Sequence, residues 1–369
     1  DATVFSLSRK VFQEICNFTE NGSEIRIKKD IKSFSPARPM QRRLSAARIM
    51  PEFNHIQLND LKRLSLLGKG GYGRVELVQY KNQEQFALKY LKKYDIVQCQ
   101  QTKHVFNERE VMFSCDSPFI VKLYRTFHDN KYLYFLMEPC LGGEVWTLLK
   151  QYRYFDEPTT KFFAACVVEA LDYLHRRHII YRDLKSENLM LDCRGYIKLV
   201  DFGFAKFLKP NEKTFTFVGT PEYTAPEIIT NKGHNKSVDY WALGIFIFEL
   251  LVGKPPFGGR GPMRIYNNIL RGIVAVDFPL KVPKRAVSLI KELCQHNPAL
   301  RIGNLKNGVQ DIKNHGWFHG LDWDKIRHQT HPPPFIPPGI KNASPYNMIS
   351  IDQFNEDPPD ETSGWDDDF

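Results

Sequence analysis

The string Leu67-Gly68-Lys69-Gly70-Gly71-Tyr72-Gly73-Arg74-Val75 sets glycines at the spacing G-x-G-x-x-G, with residues of strand pattern on both sides. Those flanks decide between two folds. In a dinucleotide-binding βαβ unit a helix follows the glycines, so that its N-terminus meets the pyrophosphate. Here Val75-Glu76-Leu77-Val78 continues as a strand, so the βαβ reading is rejected and a glycine-tipped hairpin remains. Such a hairpin lets the backbone approach a phosphate and aim N–H groups at it, because no side chain stands in the way. By itself it is weak evidence, because a Gly-rich hairpin can simply be a turn.

Short apolar strands run from Leu61 to about Tyr134, with one helix near 102–114, and helical periodicity follows at 157–178 and again from 237. The pattern predicts a small β-rich lobe followed by a large helical one. With 42% hydrophobic residues, the 369-residue chain has enough apolar surface for one two-lobed domain or two ordinary ones. Residues 1–20 place Val4, Phe5, Leu7, Val11, Phe12 and Ile15 on a strand-then-helix pattern too short to make its own core, as at the end of a domain whose body is missing. Residues 21–60 form a basic, Ser/Pro-containing linker without sustained period, and 61–318 is the main domain. From 319 to 369 the chain turns Pro-rich and then acidic, an extended tail.

The net charge of +9 is uneven: residues 1–50 hold ten Lys/Arg against five Asp/Glu, whereas 351–369 hold eight Asp/Glu and no base. A basic middle suits polyphosphate as well as nucleic acid, and its dispersal among apolar periodic segments marks a solvated surface, so no nucleic-acid partner is expected. The seven cysteines form no C-x-x-C pair and no zinc-site spacing, which points to a reducing, cytoplasmic setting. The most apolar stretch, Trp241 to Val252, is too short to cross a bilayer, so no transmembrane segment is expected.

Fourteen residues after Val75, Lys89 closes the strand Phe86-Ala87-Leu88-Lys89. Most such lysines snorkel to solvent. Glu108 on the following helix changes the reading, because a carboxylate there can hold the ammonium against two phosphates. Further on come Tyr181-Arg182-Asp183-Leu184-Lys185-Ser186-Glu187-Asn188, Asp201-Phe202-Gly203 and Ala225-Pro226-Glu227. Phosphoryl transfer needs a carboxylate to orient the attacking hydroxyl, a cation near the transferred group and oxygen ligands for magnesium. Asp183, Lys185, Asn188 and Asp201 supply that set. Any one of them alone would be a loop or capping residue; the information lies in their order.

With these motifs, residues 61–318 resemble a eukaryotic protein kinase, and more narrowly the AGC group of serine/threonine kinases. The resemblance implies a bilobal α+β fold, with a small antiparallel β-rich N-lobe carrying one regulatory helix and a larger helical C-lobe. It implies ATP under the glycine loop Leu67–Val75, with Val75, Ala87 and Met190 around the adenine, Met137 as gatekeeper and Glu138 and Cys140 on the hinge. Asp183 would be the catalytic aspartate, Lys185 the partner of the γ-phosphate, Asn188 and Asp201 the Mg2+ ligands, and Glu227 would brace Arg301. Tyr181 and Ser186 depart from the commonest pattern, which has His and Pro there.

The same resemblance marks Thr216 as an activation-loop phosphorylation site facing His104, Arg182 and Lys206, and marks Glu144, Glu187, Glu222 and Glu249 as acceptors for substrate arginines. Preference for Ser or Thr follows from the pattern around Lys185 and Thr220. Arg42-Arg43-Leu44-Ser45 then reads either as an autophosphorylation or autoinhibitory segment or as an ordinary basic linker. Pro334-Phe335-Ile336-Pro337 is similar to the AGC tail, and the ending Asp357 to Phe369 resembles that of cGMP-dependent protein kinases. Residues 1–16 resemble the end of a cyclic-nucleotide-binding domain, while Ile351 stands where a tail aromatic is expected. The implied activity is ATP-dependent phosphorylation of Ser/Thr preceded by basic residues, in a catalytic fragment that neither binds cGMP nor dimerises. The alternatives are a cyclic-AMP-dependent type of kinase and a pseudokinase scaffold.

Overall fold

Strand alternation builds the first lobe and also divides it into two faces. The structure, a computed structural model, describes residues 51–70, 73–81, 84–337 and 357–369, all within the unit Met50–Phe369. The expectations for residues 1–50, including Ser45, and for Gly71, Tyr72 and Ile351 lie outside the described residues. Strands β1 (Leu61–Gly70) and β2 (Gly73–Tyr80) form the antiparallel hairpin, Gly70 opposite Gly73. With β3 (Glu84–Lys92), β4 (Leu123–His128) and β5 (Tyr132–Met137) they make an antiparallel sheet in the order β1-β2-β3-β5-β4.

Because successive side chains point to opposite faces, Val75, Ala87 and Met137 join the main core on the inner face. Val78, Phe86, Tyr90, Tyr134 and Leu136 form a second cluster on the outer face. Residues 51–60 cover that outer cluster. Ile56 is fully buried, Phe53 packs its ring 4.5 Å from that of Tyr124, and the Arg125 guanidinium donates to the carbonyls of Asn54 and Ile56. The last ten residues of the stretch read as a linker are thus packed structure, including two single 3-10 turns, Pro51–Phe53 and Leu58–Asp60. Their apolar residues follow no period, so pattern reading passes over them.

Two helices complete this lobe, α1 (Lys93–Gln98) and α2 (Thr102–Ser114). The latter buries Val105, Glu108, Val111 and Met112 along one stripe. The second lobe is built around α4 (Glu157–Arg176), which follows β6 (Gly143–Glu144) and α3 (Val145–Tyr152). Asp156 caps α4 by accepting from the Thr159 amide at 3.0 Å, and Pro158 occupies its first turn. Short strands β7 (Ile179–Ile180), β8 (Leu189–Leu191), β9 (Ile197–Leu199) and β10 (Lys206–Phe207) carry the loops of the cleft. Beyond them lie α5 (Pro226–Ile229) and α6 (Ser237–Val252), the latter apolar all round and buried along nearly its whole length against α4. Helices α7 (Pro262–Arg271) and α8 (Lys284–Leu293) close the lobe.

Among the described residues of the tail, 319–337 and 357–369, the one helix is the short turn Trp323–Arg327. Phe335 packs on Phe155 and Phe163 of the helical lobe, and residues 357–369 lie on the small lobe. Among the described residues no helix is long and apolar enough to cross a membrane.

Candidate active site

The glycines of the hairpin serve two different purposes. At Gly73 a Cβ would stand 1.8 Å from the Tyr90 carbonyl oxygen, so close pairing of β2 with β3 requires glycine there. At Gly68 and Gly70 a Cβ would meet nothing within 4 Å, and the missing side chains leave open space beside the backbone. That is the condition a phosphate-binding loop needs. Leu67, Val75, Ala87, Met137 and Cys140 belong to one apolar cluster behind this loop, and Met190 on β8 is half-buried. Burial pushes the Cys140 thiol up to about 12, so it is an apolar wall rather than a nucleophile.

Two residues assigned to the nucleotide have their side chains committed elsewhere. Arg74 alternates to the outer face, donates to Glu76 at 2.6 Å and lies 4.1 Å over the Tyr90 ring. Glu76 is gripped from the other side by Arg63. The Arg74 side chain therefore braces the base of the hairpin. Glu138 pairs with Lys198 at 2.6 Å and accepts from the Lys122 amide, while its own amide donates to the Lys122 carbonyl at 2.9 Å.

Lys89 Nζ lies 2.7 Å from Glu108 Oε1, joining β3 to α2. Burial pulls the lysine down, but the charges of Glu108 and Asp201 outweigh it, and its pKa ends above the ordinary lysine value. Across the cleft, Arg182 and Asp201 adopt φ of +69° and +59°, a strained conformation for non-glycine residues that needs support from its surroundings. Asp239 at the start of α6 supplies that support around Arg182. Its carboxylate accepts from the amides of Tyr181 (3.0 Å) and Arg182 (2.8 Å) and lies 2.7 Å from His175 Nε2.

The loop so held presents Asp183. Asn188 donates to Asp183 Oδ2 at 2.7 Å and Thr220 donates to Oδ1 at 3.1 Å. Lys185 Nζ bridges, 3.1 Å from Asp183 and 3.0 Å from Thr220 Oγ1. Burial pushes the Asp183 carboxyl up to about 6, with Asp201 adding to the rise and Lys185 and Asn188 opposing it. The result is a carboxylate that is ionised near neutrality yet basic enough to take a proton.

The donor set suits magnesium. The Asn188 amide nitrogen is spent on Asp183, which leaves its oxygen to offer, and Asp201 is exposed with only Oδ1 engaged, by the Gly203 amide. Among the described residues no three His, Cys, Asp or Glu side chains converge on one point. One amide and one carboxylate suit a hard cation that draws its other oxygens from phosphates and water.

Around this centre the remaining assignments fall into three groups. Arg301, fully buried, pairs with Glu227 at 2.8 Å and 3.2 Å and also donates to the carbonyls of Ser237 and Gln295. Lys206 donates to Thr214 Oγ1 at 3.0 Å, and Thr214 Oγ1 lies 3.4 Å from the hydroxyl of exposed Thr216. Arg182 is held by the Phe204 carbonyl at 2.7 Å, and its charge acts on His104.

Glu144 is pushed up to about 7 by burial and by Glu187. Glu249 is pushed up to about 7 by burial, with Glu187 and Glu222 adding to the rise and hydrogen bonds from Tyr223 and Ser186 opposing it. The four glutamates thus form one acidic neighbourhood. Sequence reasoning missed Asp239, His175, His234 and Asp366. Only Asp239 had a signal, a carboxylate in the first turn of a helix whose next nine residues carry no charge.

The family profile described as "Protein kinase domain" matches residues 61–318. The chain is 50% identical over 349 residues to "cGMP-dependent protein kinase 2" of Homo sapiens, an alignment covering 94% of this chain and 43% of the relative. It is 53% identical over 327 residues to "cGMP-dependent protein kinase, isozyme 1" of Drosophila melanogaster, covering 87% and 42%. It is 50% identical over 324 residues to "cGMP-dependent protein kinase egl-4" of Caenorhabditis elegans, covering 86% and 41%. The chain spans less than half the length of these relatives.

Proposed function

We propose, from the premise that this chain belongs to the protein kinase family, that it transfers the γ-phosphoryl group of ATP to serine and threonine hydroxyls that follow basic residues, as the catalytic region of a cGMP-dependent type of kinase. The observation that carries the reading is the Asp183 constellation: a basic carboxylate, an ammonium and a threonine hydroxyl fixed within 3.1 Å of one another beside Asn188. Asp183 orients the incoming hydroxyl and accepts its proton. Lys185 offsets negative charge as the new P–O bond forms, and Thr220 keeps both in register. Asn188 and Asp201 would hold Mg2+, which neutralises the polyphosphate when bound. Lys89, locked by Glu108, is placed to hold the phosphates that the open flank of Gly68 and Gly70 admits.

The cluster of Glu144, Glu187, Glu222 and Glu249 supports a preference for arginine before the target residue, since carboxylates bind guanidinium in bidentate fashion. Control by cGMP belongs to a longer chain than this one, as the partial coverage of the relatives suggests. The described cysteines are all unpaired, which suits a cytoplasmic setting.

The test is phosphate transfer from labelled ATP to an Arg-Arg-x-Ser peptide by wild type and Asp183→Asn. Loss of transfer by about 10²-fold or more, with ATP affinity retained, is expected from removal of a general base. Transfer that survives within tenfold in the variant refutes the role given to Asp183.

A further inference from the structure

We infer that His234 is a further positioning residue of the activation segment, a partner for a phosphate on Thr216 that takes up one proton from solvent when that phosphate arrives. The inference rests on reading Thr216 as a phosphorylated residue. Thr214 and His234 face each other across an isolated antiparallel bridge, each amide donating to the other's carbonyl at 3.0 Å and 2.9 Å. In such a hydrogen-bonded pair the two side chains project to the same face. Thr214 identifies that face: its hydroxyl receives Lys206 Nζ and lies 3.4 Å from the Thr216 hydroxyl. The imidazole therefore stands on the side of Lys206 and Thr216.

The ring is 3% exposed, and its Nε2 is buried without a hydrogen-bond partner. Arg182 repeats the situation: Nε is satisfied by Phe204, but Nη1 is buried and unpartnered. Buried polar groups are almost always paired, so two unpaired nitrogens in one neighbourhood describe a site awaiting an acceptor.

The charged groups around His234 are the cations Arg182 and Lys206 and the carboxylates Glu227 and Asp239. Neither carboxylate is its partner. Glu227 is taken by Arg301, and Asp239 by His175 and two amides. Burial first, and then the Arg182 charge, push the imidazole down to about 4, so it is neutral at pH 7 while the loop is unphosphorylated. A phosphothreonine brings up to two negative charges and three acceptor oxygens to the face that Lys206 and Thr214 share with the imidazole. That charge reverses the balance at His234, and protonation gives the imidazole a second N–H donor without breaking any bond in the chain.

The test uses the whole chain, phosphorylated on Thr216 as verified by mass spectrometry, with the 31P signal of that residue titrated from pH 5 to 9. In His234→Phe the phosphate midpoint should rise by about half a unit or more, because a neighbouring cation that favours the dianion has gone. In the unsubstituted chain, the His234 ring-proton midpoint should move from the acid range to above neutrality on phosphorylation, a readout that needs no folded variant. A phosphate on Thr216 with both midpoints unmoved overturns the inference and leaves the Thr216 reading standing. An active chain with no phosphate on Thr216 overturns both.

Discussion

Replacing Asp366 by Asn tests how the tail governs the small lobe. The Asp366 carboxylate is 3% exposed and lies between Lys93 Nζ at 2.7 Å and His128 Nδ1 at 2.8 Å. Burial pushes this carboxyl up, but the bonds to Lys93 and His128 outweigh it and hold it below the usual carboxylate range. Three residues on, Phe369 sets its ring edge-on to Phe106 at 5.7 Å and Phe135 at 5.4 Å, under the Arg109 guanidinium. Phe106 lies on α2 two residues before Glu108, so the docked tail steadies the helix that holds Lys89.

The Asn variant leaves the Lys93 ammonium buried without a counter-charge from the tail, with neutral acceptors in its place: the Asp129 carbonyl at 3.2 Å and the new amide oxygen. Breaking a buried ion pair from one side costs about 3–5 kcal/mol. The retained carbonyl puts this case at the lower end, and about 3 kcal/mol is a factor of roughly 150 in the docking equilibrium. Hydrogen exchange should accelerate by about that factor in residues 357–369 and rise in α2, with a higher KM for ATP. Adding Lys93→Met removes the stranded charge and should restore part of the loss. Because the folded pKa is depressed below 3.8, the contribution is complete above that pH and lost as pH falls through the folded value. Unchanged exchange in the tail and α2, with a double variant no better than the single, would refute the reasoning.

Two further outcomes follow from the same geometry. Glu144 and Glu249, both raised from 4.5 to about 7, must ionise fully to hold a guanidinium, so the KM of an Arg-Arg-x-Ser peptide should fall as pH rises from about 6 to 8 and then level off. A peptide with alanines in place of the arginines should lack this dependence, and equal pH profiles for the two peptides would remove the glutamates from substrate binding. The sign for stability is opposite: the folded chain holds protons that the unfolded chain has already released between pH 4.5 and 7, so these groups lower stability as pH rises through that window. Gly73→Ala drives a Cβ to 1.8 Å from the Tyr90 carbonyl oxygen and should cost about 1–3 kcal/mol in urea unfolding, as overpacking does. Gly70→Ala, with open space beside it, should cost less than about 0.5 kcal/mol; equal losses would mean that the strand pairing does not set the requirement at Gly73.

What could be read from the sequence divides along a physical line. Asp183, Lys185, Asn188, Asp201 and Lys89 were legible because phosphoryl transfer demands particular functional groups in a particular order, and the lobes were legible because a period of two gives way to 3.6. A motif string carries no information about faces, so it does not show that the Arg74 side chain turns to Glu76, although counting alternately from Val75 places that side chain outside. Residues 51–60 read as linker because Phe53, Ile56 and Leu58 fill the outer cluster without any period. His128 and Asp366 stand 238 residues apart, and nothing local to either announces the other. His234 was invisible because its distinguishing property is a buried nitrogen with no partner, which exists only once the chain is folded.

The unread contacts share a role. Asp366 acts on α2 and through it on Glu108, Asp239 holds the backbone of the catalytic loop, and His234 stands against the activation segment. Motifs thus specify the reacting groups, whereas long-range charge and hydrogen-bond partners specify where those groups stand. A substitution at Asp366 or His234 should therefore alter affinity and regulation, while one at Asp183 removes the chemistry itself.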